Sequence, residues 1–276
     1  MTTFQIQKVI LKAKNQAELA SFYQEVVGLQ ILKTDQRKAQ LGTPDGKVLL
    51  EIEQLEKAET KRRATGLYHT AFLVPERTDL ADALIHLIRT GYPIAGAGDH
   101  AYSEALYLND PEGNGIEIYA DRPFVEWQID AAGRYPMVTQ EVDTESLLAE
   151  ASERLWNGLP NGTMIGHIHL QIRDIEKTRT FYQELLGLDV KTEIPTALFL
   201  AAGDYHHHIG TNIWGGTDLP NRAENEPGLY YFVSATDQYS TIYDRISQAG
   251  YPYKTFFEGI RIEDPNGITL HLVPIK

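Results

Sequence analysis

DHAYSEALYLNDPEGNGIEIY, residues Asp99–Tyr119, is the stretch from which the fold can be read. Asp110-Pro111-Glu112-Gly113-Asn114-Gly115 is a turn signal between two alternating segments, and it predicts a hairpin with strands over Ala105–Asn109 and Gly115–Tyr119. Alternation sorts the faces. Leu106 and Leu108 point one way and Tyr107 the other, while Ile116 and Ile118 share the face opposite Glu117 and Tyr119. Glu117 therefore sits mid-strand between two isoleucines. Its face is either solvated or, if buried, needs a cation to offset the several kcal/mol that an isolated carboxylate costs.

The same turn recurs further along. Asp110-Pro111-Glu112-Gly113 returns as Asp264-Pro265-Asn266-Gly267, Gly66-Leu67-Tyr68 as Gly228-Leu229-Tyr230, and Gly91-Tyr92-Pro93 as Gly250-Tyr251-Pro252. Phe22-Tyr23-Gln24-Glu25-Val26-Val27-Gly28-Leu29 returns 159 residues later as Phe181-Tyr182-Gln183-Glu184-Leu185-Leu186-Gly187-Leu188. The halves are duplicates, so the expected division is one domain over 1–122, a linker over 123–163 and a second domain over 164–276. Each half holds two units with the order strand, helix, three strands. In the first unit Ile6–Ala13 is a strand and Ala17–Val27 a helix ended by Gly28; Ile31–Leu32, Ala39–Leu41 and Val48–Glu53 follow as strands. The second unit opens with the strand Leu67–Val74 and the helix Leu80–Thr90 and ends in the hairpin. Units three (Ile165–Trp214) and four (Gly228–Pro274) repeat the scheme, with helices near Ile175–Leu186 and Tyr239–Ala249. The result is an α+β chain of four βαβββ units. In the linker, Asp143–Leu155 reads as a capped helix beginning near Asp143 or Thr144.

Composition narrows the chemistry. At 42% hydrophobic and 23% charged the 276-residue chain is ordinary for a soluble globular protein, able to bury real cores. A net charge of −13 argues against nucleic acid or an anionic membrane as the main partner. Without cysteine there is neither a disulfide nor a thiolate site, so any metal must be held by His, Asp or Glu. No signal-like or membrane-length apolar run is present, and a cytoplasmic protein is expected.

The histidines fall mostly on strands. His86, in a helical pattern without polar company, is expected to be structural or exposed. In Gly166–Ile172 alternation puts His167, His169 and Gln171 on the face opposite Ile168, Leu170 and Ile172, which should meet the helices. His69 occupies the matching place in unit two. In Tyr205–Trp214 the packing parity belongs to Ile209 and Ile213, so His208 is expected to face inward. By the repeat, Lys8 is the counterpart of His167, Tyr231 of His69 and His271 of Glu117. Units two and three thus supply His69, Glu117 and His167, a two-His, one-carboxylate set of the kind that leaves open positions on Fe(II) or a similar divalent metal. His169 shares that inner face and stands as an alternative to His167. Units one and four supply Lys8, Glu51, Tyr231 and His271, an incoherent set that reads as a site stripped of its ligands.

The four units, the FYxxxLGL-type turn after the first helix, and DPEGNGIEI resemble the vicinal oxygen chelate superfamily over nearly the whole chain outside the linker. That resemblance implies two pairs of half-barrels. GLYHTAF, GHIHLQI and YHHHIGTNIW, together with the hairpin, are more specific and resemble bacterial extradiol dioxygenases of the catechol 2,3-dioxygenase type. The resemblance implies Fe(II), or Mn(II) or another divalent metal, on His69, Glu117 and His167. It implies a catalytic role for His208, for Tyr107 ten residues before Glu117, and for His100, with a small aromatic diol and O₂ as reactants. Such a set requires units two and three to face one another across the linker or a subunit interface; homo-oligomerisation is left open by the sequence. A glyoxalase-type isomerase ranks second, and a metal-free small-molecule binding or resistance protein third, since it would leave the three ligands unexplained.

Overall fold

The computed structural model describes residues 3–152 and 154–275. Unit one runs β1 (Phe4–Ala13), α1 (Gln16–Phe22), β2 (Gln30–Thr34), β3 (Lys38–Gly42) and β4 (Val48–Gln54). Unit two runs β5 (Gly66–Leu73), α2 (Arg77–Thr90), β6 (Gly96–Asp99), β7 (Ser103–Asn109) and β8 (Gly115–Asp121). After the short linker helix α3 (Thr144–Ala149), unit three comprises β9 (Met164–Gln171), α4 (Ile175–Arg179), β10 (Asp189–Ile194), β11 (Ala197–Ala201) and β12 (Ile209–Asn212). Unit four comprises β13 (Gly228–Thr236), α5 (Tyr239–Gln248), β14 (Tyr253–Phe256), β15 (Gly259–Glu263) and β16 (Thr269–Pro274). The four expected βαβββ units are all present.

Local chemistry explains their boundaries. Asn15 opens α1 by accepting the Glu18 N–H at 3.2 Å, and the chain then widens into a π-type turn over Tyr23–Val27 that stops at Gly28, which adopts φ +95°. Asp143 caps α3 through the Ser146 N–H at 2.9 Å, as its position in the linker predicts; the helix ends at Ala149, short of the expected Leu155, and Glu153 lies outside the described residues. The two recurrent motifs hold one another. Tyr23 Oη donates to the buried Asp110 at 3.2 Å, and Tyr182 does the same to Asp264 at 3.4 Å. Each aspartate also accepts the backbone N–H groups that close its own turn, Glu112 and Asn114 for Asp110, Asn266 and Ile268 for Asp264.

Strand pairing crosses the sequence halves. One eight-stranded sheet has the order β2-β3-β4-β1-β13-β16-β15-β14, from units one and four. The other has the order β10-β11-β12-β9-β5-β8-β7-β6, from units three and two. A single bridge, Ile6 to Ile165, joins them. The seams are the antiparallel pairs β1–β13 and β5–β9. The helices cover one face of this structure, and the main core lies between, with Phe72, Leu84, Ile116, Ile168, Leu170, Phe181 and Phe232 among its buried members. His86 behaves as a structural residue, bonded through Nε2 to the Glu25 carbonyl at 2.8 Å and stacked on Trp156. No helix among the described residues is long and apolar enough to cross a membrane.

Candidate metal centre

Three adjacent strands set the site. The registers align Ala71 on β5 with His167 on β9 and with Glu117 on β8, so the three form one row across the sheet with the small alanine in the middle. His69, two residues earlier on β5, projects from the same face into the space Ala71 leaves open. Tyr107 on β7 pairs with Glu117 and extends the row.

The side chains converge. His69 Nε2 lies 3.0 Å and His167 Nε2 3.1 Å from Glu117 Oε2, and the two nitrogens are 3.3 Å apart. All three residues are buried, and among the described residues they form the one group with metal-holding geometry, their ligand atoms within 4.8 Å of one another. Those separations match the roughly 3.0 Å edges of a six-coordinate sphere with bonds of ~2.1 Å. Burial opposes charge on Glu117, but His167 and His69 outweigh it and hold the carboxyl well below its usual range. His167 moves the other way: burial pulls it down to about 4, with Glu117 opposing, so it is neutral at pH 7. A buried carboxylate beside the neutral His167 leaves negative charge that a divalent ion would neutralise.

The site opens into a cavity of about 440 Å³. Tyr68, Phe199 and Trp214 give it aromatic walls, and Tyr68 and Trp214 meet edge to face at 5.3 Å. Met137 and Thr139 of the linker form another part of the wall.

Residues 5–118 and 164–272 each match the Glyoxalase/Bleomycin resistance protein/Dioxygenase superfamily. The chain belongs to this superfamily. It is 46% identical over 252 residues to the catechol-2,3-dioxygenase of Bacillus subtilis (strain 168), covering 88% of each chain. Its fold is similar to the crystal structure of a putative dioxygenase from the same bacterium, with TM-score 0.66 and 14% identity over 98% of this chain and 84% of that one. It is also similar to glyoxalase I from Zea mays, with TM-score 0.60 and 14% identity over 99% and 93%.

Within this superfamily fold, the expected residues are placed unequally. Tyr107 and His100 line the cavity, and the Tyr107 hydroxyl lies 2.7 Å from His100 Nε2. His169 shares the inner face, as parity predicts, but its Nε2 accepts from the Asn212 amide at 3.0 Å and it stands outside the three-residue cluster. His208 does not line the cavity. It borders a separate cavity of about 770 Å³, near Phe4 and Tyr205, and His207 takes the inward place with its ring 4.1 Å from that of His167. The cause is a bulge ahead of β12. Ile209 pairs with Leu200, yet the His208 N–H also reaches the Leu200 carbonyl at 2.8 Å, so two residues oppose one and the parity slips.

Alternation along a strand could not reveal His207, nor His206 and Asp121 behind it. Nor could it reveal the linker residues, which have no period. The counterpart set in the other sheet is closed by ion pairs: Lys8 and Lys38 both meet the buried Glu51, while Tyr231 stacks on His271 at 4.1 Å.

Proposed function

We propose that this protein is an extradiol ring-cleaving dioxygenase, using Fe(II), or Mn(II) in its place, on His69, Glu117 and His167 to open a catechol beside its hydroxyl pair. The observation that carries this reading is the convergence of those three ligand atoms at 3.0–3.3 Å in a buried, aromatic-walled cavity. The 46% identity to a catechol-2,3-dioxygenase supports the substrate class. Held by these three residues, a divalent metal would supply open coordination positions for the oxygens of the diol and for O₂.

The remaining work belongs to the chain. An ionised Glu117 and a neutral His167 present lone pairs at neutral pH, as metal ligands must. His207, at the cavity wall with its ring against that of His167, accepts the phenolic proton released when the diol binds, the role the resemblance assigns to His208. Tyr68 and Trp214, in contact with one another, form a single aromatic wall against which a planar ring packs, and Tyr107 meets a substrate oxygen. The isomerase reading requires a fourth protein ligand. The counterpart of Glu51 in this sheet is Gly210, which packs against the His169 ring and has no side chain to offer.

Anaerobic reconstitution with Fe(II), followed by catechol and air, tests the reading. Oxygen uptake and a yellow ring-opened semialdehyde are expected, both falling by at least about 10³-fold in His69→Ala and Glu117→Ala, in line with removal of a residue the chemistry requires. Stoichiometric metal without turnover across a panel of substituted catechols would favour the isomerase.

A further inference from the structure

Behind the cavity wall lies a hydrogen-bonded chain that runs outward from the metal centre. His207 Nδ1 is 2.8 Å from His206 Nδ1, and His206 Nε2 is 3.0 Å from Asp121 Oδ1. Asp121 Oδ2 accepts the Tyr205 hydroxyl at 3.0 Å, and the Tyr119 hydroxyl lies 2.7 Å from that of Tyr205. His206 is only 1% exposed and is held between two rings, Tyr102 stacked at 4.4 Å and Tyr205 at 4.1 Å. Asp121, at the end of β8, has a partly exposed side chain.

The direction of each bond follows from which atoms can donate. A carboxylate only accepts, so His206 carries its hydrogen on Nε2. With a single proton, on Nε2, His206 has a lone pair on Nδ1, and in the 2.8 Å contact His207 then donates from its own Nδ1. The one nitrogen of His207 left with a lone pair is Nε2.

We propose that Asp121 and His206 are positioning residues that fix the tautomer and orientation of His207, presenting its Nε2 lone pair to the metal-centre cavity. The proposal rests on the ring-cleavage reading for the use made of that lone pair. The tautomer itself is a property of the chain and can be read without turnover.

Two measurements test it. Long-range ¹H–¹⁵N correlation on the full-length, metal-free chain labelled at histidine should show His207 protonated at Nδ1. His206→Asn should keep that pattern, because the Asn oxygen can accept where Nδ1 did; His206→Phe should lose it. In the iron-loaded enzyme His206→Phe should lower kcat about 10²-fold with KM changed less than about twofold, the lower range for a general base. His206→Asn should recover most of this. Asp121→Asn should lower kcat in the wild-type background and have no further effect in His206→Asn, since the two act in series.

His207 protonated at Nε2 in the wild type, as a doubly protonated His206 would impose, overturns the proposal. So do equal losses in His206→Phe and His206→Asn, or the same Asp121→Asn effect in both backgrounds. If His206→Phe fails to fold, the Asn variants still decide. An Nδ1–H tautomer in a protein with no ring cleavage supports the lock and counts against the dioxygenase reading instead.

Discussion

Tyr107 illustrates how far one hydroxyl can be assigned from its neighbours. His100 Nδ1 faces the Val138 carbonyl at 2.9 Å, an acceptor only, so that nitrogen carries the hydrogen. His100 Nε2 is then an acceptor, and the Tyr107 O–H donates to it across 2.7 Å. Burial, and next Glu117, push the phenol well above its ordinary range, which keeps the donor in place at any working pH. On the ring-cleavage reading Tyr107 would offer substrate its oxygen lone pairs, while its hydrogen anchors His100 and, through it, the linker. Tyr107→Phe leaves the half-buried His100 Nε2 without its donor; an unsatisfied group of this kind costs about 1–3 kcal/mol. A drop in kcat/KM of roughly tenfold and a lower melting temperature are expected, since ~1.4 kcal/mol is one decade. Steady-state kinetics and a thermal melt check both, and an unchanged kcat/KM would remove Tyr107 from the site's machinery. His169 makes the converse point. Parity alone could not separate it from His167, because the two share a face; the hydrogen bond from Asn212 does.

At the level of elements, what could be read from the sequence depended on regularity. The β7–β8 hairpin was legible because its register is uninterrupted: Tyr107 pairs with Glu117, Leu106 with Ile118 and Leu108 with Ile116. The segment His206–His208, which leads into β12, was not, because the strand begins only at Ile209 and a bulge ahead of it leaves no mark in a hydrophobic pattern while moving the side chains before it to the other face. A glycine inside a strand marks a close approach that alternation ignores. A Cβ on Gly166 of β9 would lie 1.8 Å from the Tyr119 hydroxyl, so this position must be bare for Tyr119 to reach Tyr205 and, through it, Asp121. Gly166→Ala should therefore displace Tyr119 and destabilise the protein by about 1–3 kcal/mol, the usual range for overpacking a filled interior. Urea unfolding measures this. A variant as stable as the parent would mean that β9 shifts freely, and that the row joining His167, Ala71 and Glu117 is not held by packing.

Over the whole molecule, the sequence repeat and the spatial grouping do not coincide. Duplication divides the chain at the linker, yet strand pairing joins unit one to unit four and unit two to unit three. The ligand set already hinted at this, since His69 and Glu117 lie in one sequence half and His167 in the other; the hydrophobic pattern could not, because β1, β5, β9 and β13 carry similar apolar faces. The Tyr23–Asp110 and Tyr182–Asp264 bonds explain why both motifs survive in each half: each ties the two units of that half together, while the seams tie the halves to each other. A metal site shared between halves predicts a sharp outcome for a split protein. On the proposed ligand set residues 1–122 would supply two ligands and 164–276 the third, so either piece alone should bind Fe(II) far more weakly than the intact chain. The deficit should exceed the roughly 10–100-fold that loss of a mere supporting partner costs. Co-expression of 1–163 with 164–276, which retains the linker wall of Met137 and Thr139, should restore one metal per complex, because the β5–β9 seam needs no covalent link. Metal analysis of the separate and co-purified pieces decides the matter: full-affinity binding by 1–122 alone would show that His167 is dispensable and that the site does not span the two halves.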